Sequence, residues 1–193
     1  MIGYPKHFLF FLLSKGETFK LQHICVNDVT VGQNPKSLFY PPKTYVFKKD
    51  GDWDKDTIEI EQHPLYISYK QRIIEHKKWE ETPYYEKALA LTENGGTFRG
   101  GDFKRNEIHV FFQNCDKLIS EIKNFGYKSN QQLFSEKKIN KITLLSQEVT
   151  MNLSRDNKYI LNDGWNRFII AKILGLKTIP VRVLIKHKKN LRG

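Results

Sequence analysis

Cysteine is scarce in this sequence, which has only Cys25 and Cys115 among 193 residues. Small disulfide-stabilised secreted folds use several closely spaced cysteines, so the scarcity argues against that class. Neither cysteine belongs to a CxxC pair, and the histidines show no HExxH spacing, which argues against a zinc site. We therefore expect a cytoplasmic protein with two reduced, partly buried thiols.

Long apolar runs are also lacking. The run FLFFLL covers residues 8–13, whereas a membrane-spanning helix needs about 20 apolar residues. Lysine and histidine precede this run, but no small-residue cleavage site of a signal peptide follows it. We interpret residues 8–13 as a core helix or strand, and we expect no membrane partner.

The common catalytic signatures are missing as well: there is no GxGxxG loop, no Walker-type loop and no Ser-His-Asp pattern. Positive charge, by contrast, is abundant. The net charge is +11, and Lys186, Lys188 and Lys189 belong to a basic C-terminal tail over residues 186–193. Such a surplus favours anionic partners such as nucleotides, nucleic acids or acidic lipid surfaces, although a merely solvated surface explains it equally well.

The composition is that of a globular domain, with 39% apolar and 27% charged residues. Alternating apolar residues over 18–31 predict a strand that ends in a turn at Asn27-Asp28, and 32–56 is predicted to be a long loop with little regular structure. Prolines predict helix starts at Pro64, with apolar residues continuing to Trp79, and at Pro83. The second helix is capped by Thr82 and is predicted to run to about residue 92.

A long amphipathic helix is predicted over 107–125, where apolar residues recur at steps of three and four, with Gly126 as its left-handed C-cap. Residues 128–146 give no clear pattern. A compact unit follows: a strand over 148–153, a turn at 155–158, a second strand over 159–161 and a helix beginning near Asp163. Gly175 ends that helix, and a strand over 178–185 closes the unit, with Pro180 at its start or on an edge.

The helix beginning near Asp163 is apolar in nearly every direction, which predicts that it is buried. Its first turn carries Arg167, although free N–H groups already make a helix N-terminus positive. A cation at this position destabilises the helix by about 0.3–1 kcal/mol unless a negatively charged group lies close to it. Asp163 is a candidate helix cap. A buried carboxylate would make Arg167 structural, whereas a ligand phosphate would make the turn an anion site that Gly164 lets approach closely.

The C-terminal unit resembles the ParB/sulfiredoxin-like superfamily. Two strands lead into an Asp-Gly-x-x-Arg helix start, formed here by Asp163, Gly164 and Arg167, and the helix ends in Leu-Gly-Leu-x-x-Ile-Pro-Val over 174–181. The resemblance implies an α+β fold, with a small mixed sheet and packed helices in a single domain over 1–193. Its core would comprise about 19–31 and 108–187, with a mainly helical insertion over about 57–107.

In that superfamily the helix start binds nucleotide phosphates, and members include CTP-binding partition proteins, sulfinic acid reductases and free-serine kinases. The resemblance implies a nucleotide site at Asp163, Gly164, Trp165, Asn166 and Arg167 that takes ATP, ADP or CTP with Mg²⁺. It also allows a small-molecule phosphotransferase with Asp163 as a catalytic base or metal ligand. Sulfiredoxin chemistry is excluded, because Trp165 occupies the place of the catalytic cysteine.

Several alternatives remain open. Trp165 either stacks on a base or packs inside the protein. Asn166 stands where many members have a cationic residue. An acidic stretch is either a Mg²⁺ site or a solvated loop; it comprises Asp52, Asp54, Asp56, Glu59 and Glu61. The main rival to a nucleotide site is a nucleic-acid-binding module that uses the basic tail and surface lysines, without catalysis.

Overall fold

The computed structural model describes residues 20–34, 48–96, 98, 105–140, 143–144 and 148–191. The run at 8–13 and most of the glycine-containing loop after Gly96 lie outside these ranges. Within them the chain forms an α+β structure, as the sequence predicts: a mixed sheet shares a hydrophobic core with packed helices.

The sheet has seven strands in the described part of the chain, in the order β1-β7-β5-β6-β2-β4, with β3 beside β7. Three pairings are parallel (β2 with β6, β3 with β7 and β5 with β7), and the other three are antiparallel. The strands are β1 Leu21–Cys25, β2 Val31–Gln33, β3 Lys48–Lys49, β4 Thr57–Glu59, β5 Thr150–Leu153, β6 Tyr159–Asp163 and β7 Thr178–His187.

Strand β7 organises the sheet because it pairs along both sides. β1 covers its first half, from Thr178 to Arg182, and β3 covers Lys186 and His187 further along the same side. β5 occupies the opposite side. Pro180 lies near the start of β7, as predicted.

Short strands lie within the predicted loop over 32–56. Its described residues include the end of β2 and all of β3. The basic C-terminal segment begins inside the sheet, because β7 continues through Lys186 and His187, and a 3₁₀ turn follows at Lys188–Leu191.

Five α-helices lie within the described residues: α1 Pro64–Ile74, α2 Pro83–Glu93, α3 Arg105–Phe125, α4 Asn130–Ser135 and α5 Trp165–Ile173. Both prolines occupy first-turn positions, as predicted. Helix α1 ends earlier than its apolar pattern suggests, and Trp79 begins a separate 3₁₀ turn. Gly126 and Gly175 adopt left-handed φ angles of 75° and 72° after their helices, which confirms both predicted helix ends. None of these helices combines the length and apolarity needed to cross a membrane.

Helix α5 lies at the centre of the main core. Phe168, Ile169, Ile170 and Ala171 are all fully buried, which confirms the prediction from its apolar surface. Helices α1, α2 and α3 contribute buried residues to the same cluster, so the segment 57–107 shares this core. A smaller cluster of Trp53, Ile160 and Ile185 forms a second core.

Candidate functional site

The turn into α5 is built around Gly164. Strand β6 ends at Asp163, and Gly164 is the N-cap with φ 81°. A Cβ atom at Gly164 would lie 2.7 Å from Val149 Cγ2, so both conformation and space favour glycine here. The predicted cap is therefore wrong by one residue: Asp163 precedes the cap, and its exposed carboxylate accepts a hydrogen bond from the Gly164 N–H at 2.7 Å.

The first turn of α5 has no side-chain cap. Gly164 carries no side chain, and the helical bonding begins where the Phe168 N–H donates to the Gly164 carbonyl at 3.0 Å. The N–H groups of Trp165 and Asn166 therefore stand at the positive end of the helix. The Asn166 Oδ1 atom is buried and has no hydrogen-bond partner among the described residues.

The charge of the Arg167 guanidinium is compensated by other residues of the protein. Its Nη1 atom lies 2.8 Å from Asn130 Oδ1 and 3.1 Å from Glu148 Oε1, and its Nη2 donates to the Lys128 carbonyl. The Glu148 side chain is 0% exposed. Of the two partners that the sequence allowed, the structure contains the buried carboxylate.

Glu148 collects hydrogen bonds from several directions. Its carboxylate accepts from the Asn130 N–H at 2.7 Å, the Val149 N–H at 3.2 Å and the Tyr127 hydroxyl at 3.4 Å. The Arg167 guanidinium also lies 4.6 Å from the centre of the Tyr127 ring. Burial raises the pKa of Tyr127, so its hydroxyl remains a donor.

Tyr127, Asn130 and Glu148 were not recognised from the sequence as members of this site. One signal was present: Ser129 and Gln132 have the spacing of a capping box, and this box starts α4 and so places Asn130. Through Arg167, the network ties the start of α5 to α4 and to the residues before β5. It holds the turn in one position.

Trp165 packs between a glycine and a histidine. A Cβ atom at Gly32 would lie 2.3 Å from Trp165 Cζ2, so the glycine provides space for the ring. The other neighbour is His63, whose ring centre is 5.0 Å away. These contacts favour packing as the role of Trp165, one of the two alternatives the sequence left open.

His63 lies at the start of a second helix, α1, which therefore begins beside Trp165. Its Nδ1 accepts from the Leu65 N–H at 3.2 Å, capping α1. Burial, followed by the charge of Lys87, lowers the pKa of His63. The neutral ring then carries its proton on Nε2. The N-termini of α1 and α5 thus converge beside Trp165, which the sequence did not reveal.

The acidic stretch is largely committed to internal contacts. Arg155 binds Asp54 at 2.6 Å and Asp52 at 2.7 Å, and Asp56 accepts from Asn34 at 2.9 Å. Burial opposes ionisation of Asp54, but its hydrogen bonds from Arg155 leave its pKa lowered. Glu59 and Glu61 are exposed, and within the described ranges no group of three or more His, Cys, Asp or Glu side chains could hold a metal ion by itself.

The basic residues of the C-terminus gather at one corner of the sheet. Lys48 pairs with Lys186 and Lys49 with His187 in the parallel register of β3 and β7, and the exposed Lys188 and Lys189 follow. His187 itself is 0% exposed and lies 2.9 Å from the Gly51 carbonyl. We call Lys48, Lys49, Lys186, Lys188 and Lys189 the basic corner.

The two thiols differ in their surroundings: Cys25 is exposed on β1, contrary to the expected partial burial, whereas Cys115 is buried. Both cysteines are far along the chain from residues 163–167, which form the α5 turn.

Comparisons with known proteins found no relative: no family model, no curated protein and no solved structure matches the chain.

Proposed function

We propose that the turn from Asp163 to Arg167 binds the phosphate groups of a nucleotide. The observation that carries this proposal is the uncapped start of α5 at left-handed Gly164, where the N–H groups of Trp165 and Asn166 open the helix. Helix N-termini of this kind attract anions through free donors and the helix dipole. The unpaired Asn166 Oδ1 is an acceptor, so it would take a donor such as a water molecule or a nucleotide hydroxyl rather than a phosphate oxygen.

Within this proposal, Arg167 has a different role from the one its position in the sequence suggests. Its guanidinium is bonded to Asn130 and Glu148, so it holds the turn in place and leaves phosphate contact to the backbone. The network fixes the direction of the N–H groups before a ligand arrives, which lowers the ordering cost of binding. Asp163 is exposed at the rim, where it would hold Mg²⁺ carried by the nucleotide or act as a base.

We further propose that the chain is a member of the ParB/sulfiredoxin-like superfamily. The mixed sheet, the helix that begins at Gly164 and the closing strand β7 support this assignment. A phosphotransferase would also need an acceptor site beside the phosphates. The neutral ring of His63, brought there by α1, is a candidate hydrogen-bond donor for that acceptor.

The direct test is calorimetric titration with ATP, ADP and CTP, each with Mg²⁺. At least one nucleotide should bind, and Asn166→Asp should weaken that binding because it places a negative charge among the phosphates. Acidic residues are favourable at a helix start, but the Asn166 side-chain oxygen is buried, so circular dichroism of the variant must first show the wild-type fold. Asn157→Asp, the same change in an exposed turn, is the matched control. Silence from all three nucleotides in a folded sample would refute the proposal.

A second candidate function is nucleic-acid binding at the basic corner. The observation that favours it is the register of β3 with β7, which adds Lys48 and Lys49 to the lysines at 186, 188 and 189. Lysines that separate segments bring to one edge of the sheet supply positive charge for a phosphate backbone. Binding to DNA or RNA should then fall steeply with salt, and glutamine at 186, 188 and 189 should remove it. Binding that ignores salt would exclude this function.

A further inference from the structure

A separate cleft opens among the helices, and none of its lining residues belongs to the α5 turn. It encloses about 260 Å³ between the end of α1, the 3₁₀ turn at Trp79–Glu81 and one face of α3. From α3, His109, Gln113 and Asp116 recur along the cleft at steps of four and three residues, which places them on one side of the helix.

One wall of the cleft is rigid. Arg72 donates to both carboxylate oxygens of Asp116, at 2.9 Å from Nε and 3.0 Å from Nη2, and the Trp79 indole N–H donates to the same carboxylate at 2.9 Å. This bidentate pair neutralises its own charges and fixes the orientation of Trp79. Trp79 and Phe112 line the base of the cleft with narrow apolar edges, since they are 5% and 1% exposed.

The edge of the cleft carries two further residues of opposite charge, which take no part in the Arg72–Asp116 pair. Glu80 and Lys78 are both exposed and lie two residues apart at the edge of the cleft. The only ion pair of Glu80 within the described residues is with His109, whose Nδ1 is 3.8 Å from Glu80 Oε1. That distance is too long for a hydrogen bond. The other ring nitrogen of His109, Nε2, lies 3.1 Å from Gln113 Nε2. Glu80 also interacts electrostatically with Arg72, but its exposed carboxylate is open to a further cationic group.

We propose that this cleft binds a free α-amino acid with an apolar side chain. The ammonium group would face Glu80, the carboxylate would face Lys78, and the side chain would lie against the edges of Trp79 and Phe112 that line the cleft. The volume of about 260 Å³ is slightly below the range of about 300–1,000 Å³ for drug-sized ligands, so it suits a molecule as small as an amino acid. Opposite charges on one rim select a zwitterion over a simple acid or amine.

Three probes that share one ring separate these possibilities: L-phenylalanine, 3-phenylpropanoate, which lacks the ammonium, and 2-phenylethylamine, which lacks the carboxylate. In calorimetric titrations, L-phenylalanine should bind about tenfold more tightly than either analogue, as expected for loss of one charged hydrogen bond. The Trp79 indole N–H signal should shift in NMR spectra of the same titration.

Variants assign the two charges. Glu80→Gln should abolish the preference for L-phenylalanine over 3-phenylpropanoate, and Lys78→Met should abolish the preference over 2-phenylethylamine. Glu75→Gln and Lys77→Met are the matched controls, because these residues form a neighbouring surface pair at 3.1 Å; both should keep the wild-type preferences. Absence of L-phenylalanine binding, equal affinity for all three probes, or equal losses in the controls would overturn the proposal.

Discussion

Arg167 lies 3.1 Å from Glu148, a carboxylate whose side chain is completely enclosed by the protein. This ion pair explains why a cation is tolerated in the first turn of a helix, where the helix dipole is already positive. The guanidinium compensates a buried charge and is itself fixed by Asn130. The unfavourable position of Arg167 relative to its own helix dipole is therefore offset by an internal contact.

Loss of this arginine should destabilise the fold strongly. Arg167→Ala leaves the Glu148 carboxylate buried without its ion pair, which should lower the free energy of unfolding by about 3 kcal/mol. Urea denaturation measures the change. Lys138→Ala is the control, since Lys138 is 58% exposed in its pair with Glu136 and should cost less than about 1 kcal/mol. Similar small losses in both variants would contradict a structural role for Arg167.

Two glycines with similar backbone angles should respond differently to alanine. A Cβ atom added at Gly175, where φ is 72°, would meet nothing within 4 Å, whereas at Gly164, where φ is 81°, that atom would meet Val149. Gly175→Ala should cost about 1–2 kcal/mol from the left-handed backbone alone. Gly164→Ala should cost about 1–3 kcal/mol more because Val149 must move. Equal denaturation midpoints for the two variants would show that Val149 adds no constraint.

The contact between Gly32 and Trp165 predicts a compensating pair of substitutions. Gly32→Ala places its new methyl group 2.3 Å from Trp165 Cζ2, so the ring must shift and stability should fall by about 1–3 kcal/mol. Phenylalanine at position 165 lacks that part of the ring. Thermal unfolding of the two single variants and the double variant tests the coupling: the double variant should lose less than the sum of the singles. Additive losses would contradict this packing.

The pH dependence of stability should reveal His63. Its pKa is lowered from the ordinary value of 6.5 by burial and then by Lys87, so below that pH the unfolded chain binds more protons than the folded one. The stability due to neutral His63 is therefore present above about pH 6.5 and is lost as the pH falls through the folded pKa. His63→Asn retains a capping acceptor but should lack this loss. Identical pH profiles of wild type and variant, from urea midpoints between about pH 7.5 and pH 5, would contradict the assignment.

Local signals in the sequence predicted much of the fold. Pro64, Pro83, Gly126 and Gly175 define helix ends because each acts on the backbone at its own position. The burial of α5 followed from its apolar surface. Strand β3 escaped detection, because two lysines carry no alternating pattern and pair only through the distant β7.

The candidate site was less predictable because its contacts, like the pairing of β3, join segments that are far apart in sequence. The sequence singled out Arg167 because a cation is unfavourable at a helix start, but its partner depends on how α4 folds back towards β5. Likewise, the neighbour of Trp165 comes from the start of α1. Contacts between segments far apart in sequence are set by packing, which a single sequence does not encode locally.

The most direct test of a phosphate site at the start of α5 is an NMR titration with Mg²⁺-ATP that follows the backbone amide signals. We expect the largest, saturable shifts at Gly164, Trp165 and Asn166, where the α5 helix opens without a side-chain cap. Unshifted amides at these three residues at saturating nucleotide, or shifts confined to residues 186–189, would contradict that site.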